Sequence, residues 1–117
     1  MPQFIDSNKN NLLNLKYSKE EQFTGMYWLD GKKIYQKGYT GTLPSAQTTL
    51  DKIEGIENLL FCAGTAGPIN SWYIGPNQHF SDGYRWTVNK FGNSILINSS
   101  EFSKGASYQL VIFYTKE

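Results

Sequence analysis

The strongest constraint on the fold lies in residues 17–37, where an Asp-Gly dipeptide separates two segments rich in large side chains. Asp30-Gly31 is typical of a two-residue type I′ hairpin turn, because both central positions of that turn need a positive φ. Residues 27–29 and 34–35 supply the aromatic and aliphatic side chains that fit a pleated, half-buried surface. The segment therefore predicts an antiparallel β-hairpin.

The rest of the chain also favours strands. Residues 107–115 form the longest alternating segment, and its apolar content on both faces indicates a central strand of a sandwich or a strand at a subunit interface. Residues 84–89 alternate in the same way, and residues 94–98 form another short strand. Residues 107–115 would place four large side chains on one face: Tyr108, Leu110, Ile112 and Tyr114. Together with frequent turn signals, these segments predict an all-β fold, an antiparallel, jelly-roll-like β-sandwich.

Two segments in the middle of the chain need separate treatment. Residues 48–60 carry apolar side chains at helical spacing, but Gly55 also fits a break between two short strands, and both interpretations stay open. Residues 59–63 are a short apolar run typical of a buried strand. The glycines and proline of residues 64–68 predict a wide turn after that strand.

Size and charge narrow the classes of function. The 117 residues predict one β-sandwich domain, residues 17–117, preceded by a polar lead-in or linker, residues 1–16. The net charge is +1 and the basic residues are scattered, so we expect no nucleic-acid binding. No apolar run approaches the roughly 20 residues of a membrane span, and the N-terminus lacks the apolar stretch of a signal peptide. The single cysteine, Cys62, leaves no internal disulfide, which is compatible with folding in a bacterial cytoplasm.

Patterns for catalysis and metal binding are weak. His79 is the only histidine; Asp82 follows it closely, but the only thiol, Cys62, lies in an apolar run that we interpret as core. No pair of carboxylates stands out as a glycosidase pair, and no metal-ligand spacing or phosphate-binding loop occurs. We therefore expect a protein that is not an enzyme and holds neither a cofactor nor a metal.

The best candidate site is a loop rich in aromatic residues between positions 71 and 86. Aromatic faces stack on the apolar C–H face of a sugar ring, while Asp, Asn and Arg hydrogen-bond the ring's hydroxyl groups. Arg85 can also bind a phosphate of a teichoic-acid-like polymer with two parallel hydrogen bonds. The candidate carbohydrate-binding residues are Trp72, Tyr73, His79, Asp82, Tyr84, Arg85 and Trp86. The spacing of Tyr84 and Trp86, at i and i+2, favours a place in the core or at an interface over the ligand face.

The hairpin segment also carries a family resemblance. Its pattern Y-S-x-E-E-x-x-x-G-x-x-W-x-D-G-K-x-I-Y-x-K resembles one that recurs in tail and baseplate proteins of bacteriophages and prophages, typically in C-terminal, cell-facing domains. Residues 40–44 (TGTLP) and 114–116 (YTK) are similar to landmarks that follow in that family. The resemblance implies a β-structured domain at the tip of a three-fold fibre, with host polysaccharide bound in or between subunits.

These observations combine into one expected function and one alternative. We expect a phage or prophage tail-fibre or baseplate domain that recognises a bacterial cell-wall polysaccharide or teichoic acid as its host receptor. Its partners would be two further copies of itself, in a homotrimer, and other tail or baseplate proteins, and its location the virion tail after synthesis in the host cytoplasm. The alternative is a purely structural module that caps or trimerises a fibre and has no ligand of its own.

Overall fold

The computed structural model describes residues 17–78 and 83–117 and shows eight strands and no helix in those two ranges. The predicted lead-in over residues 1–16 lies outside the described residues, as do His79 and Asp82. The strands are β1 (Gln22–Tyr27), β2 (Lys33–Thr42), β3 (Thr48–Lys52), β4 (Ile56–Ile69), β5 (Trp72–Ile74), β6 (Trp86–Phe91), β7 (Ser94–Ser99) and β8 (Ser107–Lys116).

The strands form two antiparallel sheets. The larger sheet has the order β1-β2-β8-β4-β5 and the smaller one the order β3-β7-β6. The chain changes sheet between β2 and β3, β3 and β4, β5 and β6, and β7 and β8. The all-β, antiparallel, sandwich-like architecture expected from the sequence is therefore confirmed, and β8 is the central strand of the larger sheet.

The core lies between the two sheets and follows the period-two pattern of the strands. The large sheet contributes the predicted face of β8, and the small sheet contributes alternate residues of β6 and β7. Because neighbouring strand residues point to opposite sides, a strand with one face in the core leaves its other face for a different environment. The buried side chains include Tyr108, Leu110, Ile112 and Tyr114 from β8, and Trp86, Val88, Ile95 and Ile97 from the small sheet.

The hairpin between β1 and β2 exists, but its turn is not the predicted two-residue type I′ turn. Trp28 N–H donates to the carbonyl oxygen of Lys32 at 2.8 Å, and Gly31 N–H donates to the carbonyl oxygen of Trp28 at 2.9 Å. Gly31 has φ +86°, whereas Asp30 is not among the residues with positive φ. The loop therefore has three residues, a turn over Leu29 and Asp30 followed by a left-handed glycine, which is the next most common hairpin form.

The middle of the chain is entirely strand and turn. Residues 48–60 form β3 and the start of β4 on either side of Gly55, which has φ +75°, so the two-strand interpretation is the correct one. The wide turn predicted over residues 64–68 is wrong, because β4 runs on to Ile69 and pairs with β8 through Thr65 and Ala66. Gly64 is needed here for close packing within the sheet: a Cβ atom at this position would lie 2.0 Å from the carbonyl oxygen of Gln109.

Polar contacts around Asp51 link the two sheets. Its Oδ2 accepts hydrogen bonds from Lys37 Nζ at 2.6 Å and from Tyr39 OH at 2.7 Å, both from β2 of the large sheet. Partial burial acts to raise the pKa of Asp51, but these hydrogen bonds outweigh it and lower the pKa below its usual value. A second carboxylate, Glu21, accepts from Tyr114 OH at 2.6 Å. Both carboxylates are thus occupied in holding the fold together.

Candidate functional site

The outer face of the large sheet, which points away from the core, carries a row of polar side chains. Gln109 on β8 pairs with Thr40 on β2 and with Thr65 on β4. Directly opposed residues in antiparallel strands project to the same side of the sheet, so these three side chains stand next to one another. Two residues further along β8 on the same face, Val111 pairs with Gly38 and Ala63. Glycine has no side chain and alanine only a methyl group, so the neighbouring strands are nearly uncovered there.

A depression of ≈ 420 Å³ lies over the row of small residues. Its floor includes Gly38, Ala63 and Val111, and Tyr17 and Lys19 stand along one side. That side wall depends on Gly38, whose N–H donates to the carbonyl oxygen of Ser18 at 2.7 Å. A Cβ atom at position 38 would lie 2.9 Å from that oxygen, so a side chain there would push the wall away. The missing side chain of Gly38 thus both lets Ser18 pack beside β2 and leaves the floor of the depression bare.

A second depression of ≈ 310 Å³ adjoins the first and shares Thr40 and Gln109 with it. Thr65, Ser107 and Tyr73 also line it, so its surface is rich in hydroxyl groups. The two depressions together are called the sheet-face groove below. They meet at Thr40 and Gln109, with Tyr17 lining the first depression and Tyr73 the second.

Two of the tyrosines that line the sheet-face groove, Tyr17 and Tyr73, present their rings to solvent. Tyr17 is 69% exposed and Tyr73 is 66% exposed. Tyr17 is steadied by an edge contact with Phe113, at 6.4 Å between ring centroids. Tyr73 lies close to Gly67, where a Cβ atom would come within 3.0 Å of the tyrosine ring. The groove therefore combines fixed aromatic surfaces with hydroxyl and amide groups between them, an arrangement suited to a partly polar, partly apolar ligand.

The structure separates the site residues predicted from the sequence. Tyr73 lines the sheet-face groove, and its neighbour Trp72 on β5 is 53% exposed. Arg85 is exposed, but it lies beside the small sheet, at a separate depression of ≈ 310 Å³ with Asn98 and Ser100. Arg85 and Tyr73 thus contribute to different surfaces.

The other two described candidates are engaged in packing. Trp86 is fully buried, donates from Nε1 to the carbonyl oxygen of Ile74 at 2.7 Å and contacts the Tyr108 ring at 5.8 Å between centroids. Tyr84 is half-buried and stacks on Phe102 at 5.0 Å. Trp86 therefore presents no ring surface to a ligand, and His79 and Asp82 lie outside the described residues.

Sequence reasoning missed most of the sheet-face groove. Tyr17, Thr40, Thr65 and Gln109 were not among the candidate residues, although all four line it. The available signal was the second face of β8, where polar Gln109 alternates with the core residues. Only the pairing of β8 with β2 and β4 shows that small and hydroxyl-bearing residues surround it.

A second exposed feature is the tip of the β1–β2 hairpin. Met26, Tyr27 and Leu29 are exposed there, and the Leu29 side chain is 92% exposed. The Tyr27 ring contacts Phe23 at 5.6 Å, so part of the tip is ordered by its own strand. Apolar side chains gathered on one exposed tip are typical of contact with another protein surface.

Chemical groups for catalysis or metal binding are sparse in the part of the chain that the structure describes. No group of three or more His, Cys, Asp or Glu side chains is arranged there to hold a metal ion. Burial raises the pKa of the half-buried Cys62 thiol to about 11, which keeps it protonated and unreactive at neutral pH. Within the same residues, no helix is long and apolar enough to cross a membrane.

Comparison with known proteins adds no relative. No family model, no curated protein and no solved structure matches the chain. The function is therefore argued from the sheet-face groove, the hairpin tip and the sequence pattern of residues 17–37.

Proposed function

We propose that this chain is a receptor-binding domain of a phage or prophage tail fibre or baseplate, and that it binds a bacterial surface glycan in the sheet-face groove. The observation that supports glycan binding is the pair of exposed tyrosines, Tyr17 and Tyr73, on a groove lined by hydroxyl and amide side chains. The pattern of residues 17–37 supports the phage origin. Among the described residues, the groove offers binding surface and no His, Cys, Asp or Glu side chain, so the proposed activity is recognition.

The chemistry of the groove suits a sugar on two counts. Tyrosine rings offer flat apolar surface for the C–H face of a pyranose and keep a hydroxyl for a hydrogen bond. Thr40, Thr65 and Gln109 each provide both a donor and an acceptor, as a sugar hydroxyl does. A protein surface that offers both kinds of contact replaces the hydration of a sugar without burying an unpaired polar group.

A homotrimer is part of the proposal. The resemblance implies three-fold symmetry, and the alternation of strands between two sheets supports a jelly-roll-like arrangement. An open groove gives weak affinity for each copy, and three linked copies raise the overall affinity through a high effective concentration of the second and third sites. Many such tips on one virion tail would raise it further.

The test of this proposal is binding of the purified protein to host cell walls and to isolated wall glycans. Tyr73→Ala is expected to weaken binding about 10-fold, which corresponds to about 1.4 kcal/mol. The matched control is Phe91→Ala, since Phe91 is an aromatic residue on the small sheet that is 79% exposed, against 66% for Tyr73. Equal binding by the wild type and Tyr73→Ala, or an equal loss in Phe91→Ala, would remove the groove from the proposal.

The second candidate function, a structural trimerising or capping module, is favoured by the exposed hairpin tip. Light scattering after size exclusion measures the native mass, which for three copies of 13.3 kDa is about 40 kDa. If Leu29→Ser and Met26→Ser convert that species to a monomer while groove variants leave every property unchanged, the structural function is the better one. A monomeric wild type would count against both trimeric models.

A further inference from the structure

Charge is nearly absent from the described lining of the sheet-face groove. Lys19 is the one charged side chain among these lining residues, and it stands at the edge of the first depression. Arg85, the residue expected from the sequence to meet phosphate, belongs to the depression beside the small sheet. A polymer with a phosphate in every repeat needs several cationic partners, because each contact to phosphate draws its affinity from a lysine, an arginine or a group of backbone N–H donors.

The uncharged polar side chains that line the groove share one chemical property. Thr40, Thr65, Ser107 and Gln109 are uncharged, and each of them both donates and accepts hydrogen bonds. They form a band over the middle of the large sheet, because Gln109 pairs with both Thr40 and Thr65. Such a band matches a ligand whose own polar groups are hydroxyls, which likewise donate and accept.

The groove is also longer than a single sugar ring. Tyr73 lies on β5. The side wall with Tyr17 lies beside β2, because Gly38 N–H of β2 donates a hydrogen bond to the carbonyl oxygen of Ser18. From β5 through β4, β8 and β2 to that wall there are four strand spacings, roughly 19 Å at about 4.8 Å each. Each spacing is comparable to one sugar unit of a polysaccharide, so a chain crossing the strands would place several units between the two tyrosines.

We propose that the sheet-face groove binds an uncharged polysaccharide as an extended chain that crosses the strands from Tyr73 to Tyr17. The proposal rests on the proposed function and narrows it, because it selects neutral wall polysaccharide and excludes teichoic acid as the groove's ligand. Binding then depends on stacking at the two ends and on neutral hydrogen bonds in the middle, with Gln109 at the point where both depressions meet.

The test compares two classes of probe at two ionic strengths. One class is a panel of neutral polysaccharides (glucans, galactans, mannans and rhamnans), and the other is poly(glycerol phosphate). Affinities are measured by calorimetry or by gel retardation at about 50 mM and about 500 mM NaCl, because salt screens interactions between charges and leaves neutral contacts almost unchanged. We expect a neutral polymer to bind, with affinities at the two salt concentrations that agree within about two-fold.

Two variants sharpen the comparison. Lys19→Gln removes the one charge among the described lining residues, so a steep loss of poly(glycerol phosphate) affinity in this variant would identify charge-dependent binding. Gln109→Leu removes the central donor and acceptor and is expected to weaken binding about 10-fold. The control Asn89→Leu makes the same type of change at an exposed position on β6 of the small sheet and is expected to have no effect.

Each outcome separates this inference from the proposed function. Salt-independent binding of a neutral polymer, lost in Gln109→Leu and kept in Asn89→Leu, supports both. If poly(glycerol phosphate) binds instead, with an affinity that falls steeply with salt and in Lys19→Gln, neutral recognition is wrong while recognition of a bacterial surface polymer stands. If neither class of probe nor intact host cell wall binds the wild type, both proposals are overturned.

Discussion

Trp86→Phe is expected to destabilise the fold by about 2–4 kcal/mol while leaving the sheet-face groove intact. Trp86 is 0% exposed, and its indole N–H donates to the carbonyl oxygen of buried Ile74 at 2.7 Å. Phenylalanine has no donor, so that buried carbonyl loses its partner at a cost of about 1–3 kcal/mol. The smaller ring leaves a cavity of roughly 40 Å³, which adds about 1 kcal/mol at ~24 cal/mol per Å³.

The loss is measurable because it is a large part of the stability of a small domain, about 5–15 kcal/mol. Urea denaturation followed by far-UV circular dichroism gives the free energy of unfolding for each variant. With a slope of about 1.5 kcal/mol per M, a loss of 3 kcal/mol lowers the midpoint by about 2 M. Trp28 and Trp72 remain as fluorescent probes in Trp86→Phe, which allows an independent check that both methods report one transition.

The control is Trp72→Phe, the same chemical change at a half-exposed position on β5. It is expected to cost less than about 1 kcal/mol, because less surface is buried there. If the two variants lose equal stability, or if Trp86→Phe loses less than about 0.5 kcal/mol, the placement of Trp86 in the core is wrong. A stable Trp86→Phe that no longer binds glycan would instead return Trp86 to the ligand site.

Three further predictions concern the sheets and the core. Gly64→Ala is expected to lower the free energy of unfolding, measured by thermal or urea denaturation, by more than about 3 kcal/mol, because its Cβ would lie 2.0 Å from a backbone oxygen. The control Gly105→Ala, also at positive φ but in open space, should lower it by about 1–2 kcal/mol. Asp51 has a lowered pKa in the fold, so its stabilising effect is complete above the unfolded pKa near 4 and is lost as pH falls through the folded value. Asp51→Asn should therefore be less stable at pH 7. In denaturation measured at several pH values, the variant should also lose the part of the stability decrease at acid pH that Asp51 causes. The Cys62 thiol, with its pKa raised to about 11 by burial, should react with iodoacetamide at pH 8 at least about 100-fold more slowly in the folded protein than in urea.

The core was predictable because its pattern is local. Alternation along residues 107–115 placed Tyr108, Leu110, Ile112 and Tyr114 on one face, and all four are in the core. Each of these positions follows from a period of two within one strand and needs no knowledge of the neighbouring strands. The hairpin was predictable for the same reason, although its loop proved one residue longer, since Gly31 alone takes the positive φ.

The site was not predictable because it depends on contacts between segments distant in sequence. The aromatic residues between positions 71 and 86 are close along the chain, which suggested a single loop site. In the fold, Tyr73 belongs to the large sheet and Trp86 to the small one, with the core between their strands. The groove instead joins β2, β4 and β8, whose residues are separated by tens of positions in the sequence and meet only through strand pairing.

Glycines determine both the strand pairing of the large sheet and the shape of the groove. Gly64 and Gly67 suggested a wide turn, yet both lie in β4, where a Cβ atom would collide with neighbouring backbone. Gly38 likewise admits the backbone of Ser18 beside β2. At Gly38, close backbone approach and a bare sheet face are two consequences of the same missing side chain, so the fold and the groove cannot be altered independently there. Ala63 differs, because it is exposed on the floor of the groove, and a larger side chain there would fill the groove while the strand pairing is kept.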